Sequence, residues 1–171
     1  GLNLRESIHV AAAGKIITAF DLARALALGA DWCNAARGFM FALGCIQSQS
    51  CHTGKCPTGV ATQDPLRQRG LVVENKALRV QRFHENTLRA LKELLEAAGL
   101  THPRELGPEH IIRRVSPFQV RSMAANYRWL RAGELLHGVP EHVVFQRFWP
   151  QARPDSFAPA ENLSARHAAL P

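Results

Sequence analysis

Three cysteines fall within a dozen residues of one another in CIQSQSCHTGKCPTG, residues 45–59, spaced C-x5-C-x4-C with a proline after the last. Such a cluster could do three kinds of chemistry. With His52, the thiols of Cys45, Cys51 and Cys56 offer a Cys3His set for zinc, although zinc sites usually draw on more closely spaced cysteine pairs. Three thiolates on a wrapping loop also suit an iron–sulfur cluster, whose irons are spread wider than a single zinc ion. Free thiols, structural or redox-active, are the third possibility. The spacing favours iron–sulfur and leaves the others open, with His52 beside the ligands rather than among them. Pro57 has no N–H and cannot continue a helix, so the chain turns away after Cys56. Backbone amides around Thr53 and Gly54 are placed to hydrogen-bond sulfur. Four cysteines, three of them clustered, do not make a disulfide framework in a chain of 171 residues. Cys33, in the apolar ADWCNAA, reads as a small buried hydrophobe.

The elements that must position this loop precede it. IHVAAA, from Ile8, is a short apolar run that meets Gly14 and Lys15, a strand entering a glycine turn. TAFDLARALALGA follows with Phe20, Leu22, Ala23, Leu26 and Ala27 at helical spacing, Thr18 as N-cap and Gly29 as C-cap. ADWCNAA is a second strand, ending at Arg37-Gly38, and FMFALG a second helix running into Cys45. Strand, turn, helix, strand, turn, helix is a parallel pattern and predicts an α/β layer architecture. Each turn leads into a helix N-terminus, where free N–H groups and the helix dipole favour an anion. Ala13-Gly14-Lys15 and Ala36-Arg37-Gly38 are therefore candidate phosphate turns, with Lys15 and Arg37 adding charge. A glycine or two in a turn is a weak signal, and ordinary turns carrying surface cations give the same pattern.

From Cys45 to about Arg69 the chain is too long to be a simple connector. Gln63-Asp64 can cap or anchor this loop. A long helix is expected from an Asn75 cap to Ala98, with Val80, Phe83, Thr87, Leu91, Leu94, Leu95 and Ala98 on one face and Gly99 at its end. THPREL and GPEHIIRRV each read as a turn leading into a short helix, and SMAANYRWLRAGELL as helical near its start. The pattern weakens after Pro140, and 150–171 reads as an irregular tail. The expected division is residues 1–69, then a mostly helical extension over 70–149, then the tail. The net charge of +7 is spread along the chain without a basic block, which argues against nucleic acid. No apolar run approaches the roughly 20 residues that span a bilayer. His84, His102, His110, His137 and His142 lack metal spacing, and Tyr127, Trp129 and Trp149 read as packing residues. GLNLRESIHV has neither an initiator Met nor a signal-peptide pattern and reads as the interior of a longer protein.

The run ALALGADWCNAARGFMFALGCIQSQSCHTGKCPTGVATQDP resembles the end of the FMN-binding domain of glutamate synthases. The specific signal is LGAD, then ALGCI, then the three cysteines with CPTGVATQDP. RVQRFHENTLRALKELLEAAGL and HPRELGPEHIIRRV resemble the same family's C-terminal part, so the likeness covers roughly residues 1 to 150. It implies the last two βα units of a (β/α)8 TIM barrel that carries FMN beside a 3Fe–4S cluster. It makes Cys45, Cys51 and Cys56 the cluster ligands, and the backbone of Gly14, Lys15, Ala36 and Arg37 the FMN phosphate site. The chain departs from the large glutamate synthases, which have D-G-G where it has Ala13-Gly14-Lys15 and Gly-Thr where it has Ala36-Arg37. Only the backbone role carries over, and Arg37 as a charged phosphate ligand is an inference added to it. The family chemistry joins glutamine or ammonia nitrogen to 2-oxoglutarate and reduces 2-iminoglutarate to glutamate. Electrons come from an NAD(P)H-oxidising subunit or a ferredoxin. The resemblance implies a cytoplasmic enzyme, leaves membrane anchoring by the missing N-terminal part open, and makes this chain inactive without that part. Two alternatives stand beside it. The same fold could serve as an electron-transfer module or act on another substrate, or the loop could belong to a small zinc-binding interaction module.

Overall fold

A computed structural model describes residues 1–138 and 141–158. The chain divides into two compact units, His9–Tyr127 and a second made of Gly1–Ile8 with Arg128 onward.

In the larger unit, strands β1 (Ala11–Ala13) and β2 (Trp32–Asn34) pair in parallel, with Ala11 opposite Trp32 and Ala13 opposite Asn34. Asp31 extends the ladder backwards: its N–H donates to the Val10 carbonyl at 2.8 Å, and its carboxylate accepts from Val10 N–H at 2.7 Å. Helix α1 (Ala19–Ala27) connects the strands. It starts where the sequence predicts, because Thr18 and Asp21 form a capping box: Asp21 N–H donates to Thr18 Oγ1 at 3.2 Å and Thr18 N–H to Asp21 Oδ2 at 3.0 Å. Gly29, at φ +103°, follows its last turn. The element order confirms the parallel α/β reading.

Helix α2 (Ala36–Leu43) begins earlier than predicted. Ala36-Arg37-Gly38 is its first turn, not a loop before it. Gly38 is buried there for a packing reason: a side-chain carbon at this position would stand 2.9 Å from the ring of Phe83. A four-residue helix, α3 (Pro65–Gln68), leads into the long helix α4 (Val73–Ala97). This helix starts two residues before Asn75, with Val72 as an N-cap lacking a side-chain bond, so Asn75 is not the cap. Gly99 ends the helix at φ +74°.

The core is where α4 meets the two shorter helices. Leu91 and Leu95 pack on Ala19 and Ala23 of α1, with Leu22 and Leu100 at the margin. Small residues at i and i+4 let the helices approach closely, and the leucines fill the space. Closer to the start of α4, Phe83 meets Phe39 edge-on with ring centroids 5.3 Å apart.

After α4 the prediction of a second short helix fails. Pro108–His110 forms a single 3-10 turn, then β3 (Ile112–Ser116) and β4 (Gln119–Ser122) make an antiparallel hairpin. β-branched Ile111, Ile112, Val115 and Val120 and the Pro117-Phe118 turn outweigh the helical spacing. Ile111 anchors the hairpin by packing with Met123 and Ala27. Helix α5 (Met123–Asn126) follows, capped by Ser122.

In the smaller unit, Leu135 N–H donates to the Gly1 carbonyl at 3.0 Å. Helix α6 (Val143–Phe148) is capped by His142, whose Nδ1 accepts from Val144 N–H at 3.2 Å. Within the predicted irregular tail, the Trp149–Gln151 turn and an isolated Arg153–Ser156 bridge are present, and 159–171 lie outside the described residues. Among the described residues no helix is long and apolar enough to cross a membrane.

Two outcomes test this account. Leu95→Ala should cost about 2–4 kcal/mol, read from urea unfolding, because it opens the α1–α4 interface. Asp21 is held below the usual carboxylate range, first by the Thr18 N–H, against burial, and then by the Thr18 hydroxyl, the Ile17 N–H and Arg24. A depressed folded-state value means that its stabilisation is present at neutral pH and lost as pH falls through the carboxylate range. Asp21→Ala should therefore cost about 1 kcal/mol near neutral pH, and the urea midpoints of variant and wild type should converge in acid.

Candidate functional site

Because Ala13 and Asn34 are register partners, the turns after β1 and β2 leave the same edge of the sheet side by side. The first turn is conformationally unusual. Gly14 at φ +96° and Lys15 at φ +56° are both left-handed, which a non-glycine residue adopts at a cost of about 1–3 kcal/mol. The second turn is the start of α2, where Ala35 supplies no side-chain cap, so the N–H groups of Ala36 and Arg37 point out of the helix end. Lys15 and Arg37 have no ion pair among the described residues. The predicted phosphate residues are thus exposed, in two turns that leave the same edge of the sheet.

At the other end of α2, Gly44 terminates the helix at φ +106° and delivers Cys45. The loop from there to α3 is held by its own polar side chains. Thr53 Oγ1 donates to the Ser50 carbonyl at 2.7 Å, Thr62 Oγ1 to the Gly54 carbonyl, and Gln68 Nε2 to the Thr62 carbonyl at 3.0 Å. Asp64 caps α3, accepting from Leu66 N–H at 2.9 Å, with Pro65 in the first helical position. The TQDP stretch therefore ties the loop down, as its predicted anchoring role requires. Gly59, at φ +79°, passes so close to the Arg67 carbonyl that no side chain could fit there.

All four cysteines are free thiols. Cys45 and Cys51 line one cavity of about 450 Å³ together with Ala36, Arg37, Gln47 and Gln49. Gln47 and Gln49 take left-handed backbone angles of φ +56° and +58°, and Gln47 N–H lies 3.5 Å from Cys45 Sγ. Cys56 is buried and lies outside that lining, with its sulfur 3.4 Å from Thr58 Oγ1. The Thr58 hydroxyl, and then the N–H groups of Ala61, Thr58 and Val60, pull its thiol down to about 7. Burial pushes the Cys33 thiol up, which fits a packing residue. The structure so brings two of the three loop cysteines onto one cavity, with the third on the same loop in a thiolate-favouring pocket. Among the described residues no three His, Cys, Asp or Glu side chains converge as a group that could hold a metal ion. The chemistry of the donor set nevertheless fits iron: soft, unbridged thiols, N–H groups aimed at sulfur, and a cation beside them. His102 and His110 act as caps, accepting from the N–H groups of Arg104 and Gly107, as their lack of metal spacing predicts. A larger cavity, about 660 Å³, borders Gly14 but is lined by no cysteine, histidine or carboxylate.

Thr58 is the residue that spacing alone missed. A hydroxyl two residues after Cys56 is the only local signal for it.

Two consecutive parallel βα units leading into a thiol-bearing loop place the chain among α/β proteins. A family model described as a conserved region in glutamate synthase matches residues 2–101. The chain belongs to the glutamate synthase family. It is 45% identical over 111 residues to a glutamate synthase large subunit-like protein, YerD, of Bacillus subtilis, covering 65% of this chain and 21% of that protein. It is 40% identical over 97 residues to an archaeal glutamate synthase [NADPH] of Methanocaldococcus jannaschii, covering 57% and 19%. Over 63 residues it is 40% identical to glutamate synthase [NADH] of Saccharomyces cerevisiae, covering 37% and 3%. The chain thus spans about a fifth of the length of the first two relatives. No solved structure matches it significantly.

Thr58→Val removes the strongest influence on Cys56. The pH midpoint for alkylation of this thiol in the metal-free protein, with Cys45 and Cys51 replaced by serine, should then rise from about 7.

Proposed function

We propose that the chain is the C-terminal end of the FMN-carrying (β/α)8 barrel of a glutamate synthase-type oxidoreductase. The enzyme would reduce 2-iminoglutarate, formed from 2-oxoglutarate and ammonia or glutamine nitrogen, to L-glutamate in the cytoplasm. The observation that carries this reading is the shared cavity of Cys45, Cys51 and Arg37, on a loop that follows two parallel βα turns and lies within the family match. Parallel barrels hold phosphate at their last two βα turns, and here the two turns leave one sheet edge together.

Cys45, Cys51 and Cys56 would hold the 3Fe–4S cluster, and Gly14, Lys15, Ala36 and Arg37 the FMN phosphate. When bound, FMN supplies hydride to the imine carbon and the cluster supplies electrons that originate from an NAD(P)H-oxidising subunit or a ferredoxin. The chain's own residues position these groups. The α2 N-terminus directs N–H groups outward to bind a phosphoryl oxygen, and Lys15 and Arg37 neutralise its charge. Thr58 and the amides of Val60 and Ala61 keep Cys56 close to its metal-binding thiolate form. Thr62 and Asp64 hold the loop against α3. Residues that contact the flavin ring and the 2-oxo acid would come from the rest of the enzyme.

The test is anaerobic purification of the full-length protein with iron, sulfide, zinc and flavin quantified. Iron, sulfide and FMN are expected together, and Cys51→Ser should lose the iron. One zinc per chain without flavin would overturn the proposal.

A further inference from the structure

Lys76 and Arg79 lie over the point where α2 hands the chain to the cysteine loop. A side-chain carbon built on Gly44 would stand 3.0 Å from Lys76 Nζ and 4.0 Å from Arg79 Nη1. Both cations come from the first two turns of α4, at positions i and i+3 of the face that reaches Phe83 at i+7. The contact that places Phe83 over Gly38 therefore also fixes two positive charges beside Gly44, the residue that precedes Cys45.

These charges lack partners. Neither Lys76 nor Arg79 forms an ion pair among the described residues. Lys76 is partly buried beside the C-terminal end of α2, which carries about half a negative charge. No carboxylate lines the cavity of Cys45 and Cys51. A helix end is a weak sink for two cations. A set of thiolates binding iron is a strong one.

We propose that Lys76 and Arg79 form a cationic collar that serves the thiolate-bound cluster as its fixed counter-charge and raises its reduction potential. The inference rests on the cluster site proposed above. Adding an electron makes the site more negative, so nearby positive charge favours the reduced state. Lys76 and Arg79 are positioning residues acting through space. Neither belongs to the cysteine motif.

The experiment is an EPR-monitored redox titration of the full-length protein, with iron and sulfide measured first. Lys76→Gln/Arg79→Gln should keep the wild-type iron content and shift the cluster potential negative. Lys76→Arg/Arg79→Lys should restore it, which a merely structural role would not require. Arg79→Gln alone, at an exposed position, is the second variant and should shift the potential in the same direction by less, even if the double variant loses iron. Wild-type potentials in variants that retain full iron would overturn the collar while leaving the cluster site intact. A wild-type protein without iron would overturn both.

Discussion

Leu91 and Leu95 bury themselves on the alanines of α1, while Phe83, two turns earlier on the same helix, closes over Gly38 of α2. Everything near the cysteines depends on this double contact. One rigid helix bridging two shorter ones fixes both helices that follow the strands. The turns after β1 and β2 are then held at one sheet edge, and the far end of α2 is held against the start of α4. Without α4, an eight-residue helix such as α2 would be marginal in water and could not aim Cys45 anywhere in particular.

The loop is ordered by a different means. It has little apolar surface to bury, so it relies on short polar links: Thr53 to Ser50, Thr62 to Gly54, Gln68 to Thr62 and the Asp64 cap of α3. Backbone strain accompanies this order. Gln47 and Gln49 sit in left-handed conformations between Cys45 and Cys51, where glycine would be free of strain. The strain turns amides and side chains toward the cavity that the two cysteines share. Bonds of this kind fix the loop's shape and keep its sulfurs open to a ligand.

The chain belongs to the glutamate synthase family and spans about a fifth of the length of its first two relatives. Among the described residues no large side chain is below 2% exposure. Many large apolar side chains, Phe20 and Trp32 among them, are half exposed on the larger unit.

Features governed by residues within a few positions of each other were legible in the sequence. Thr18 caps α1, Gly99 ends α4, and the cysteine spacing with its following proline marks the loop, while the short α3 that Asp64 caps falls inside the stretch read as loop. These are local bonds and backbone preferences, and any context that keeps the chain folded keeps them. The parallel order of β1 and β2 was legible too, because a strand–helix–strand pattern admits few topologies. Local spacing misjudged Ile112–Ser116, because a strand is stabilised by its partner: Val120 and Arg121 across the hairpin, not the residues four along. Gly38 reads in sequence as a turn glycine, and only the arrival of Phe83 from 45 positions away shows that it is there to admit a ring. Tertiary structure likewise decided which thiols share a cavity and that two cations of a distant helix lie beside Gly44. Sequence determined the donor atoms and the turns that carry them. Packing between distant segments determined their neighbours, because charge and hydrogen bonding act through space rather than along the chain.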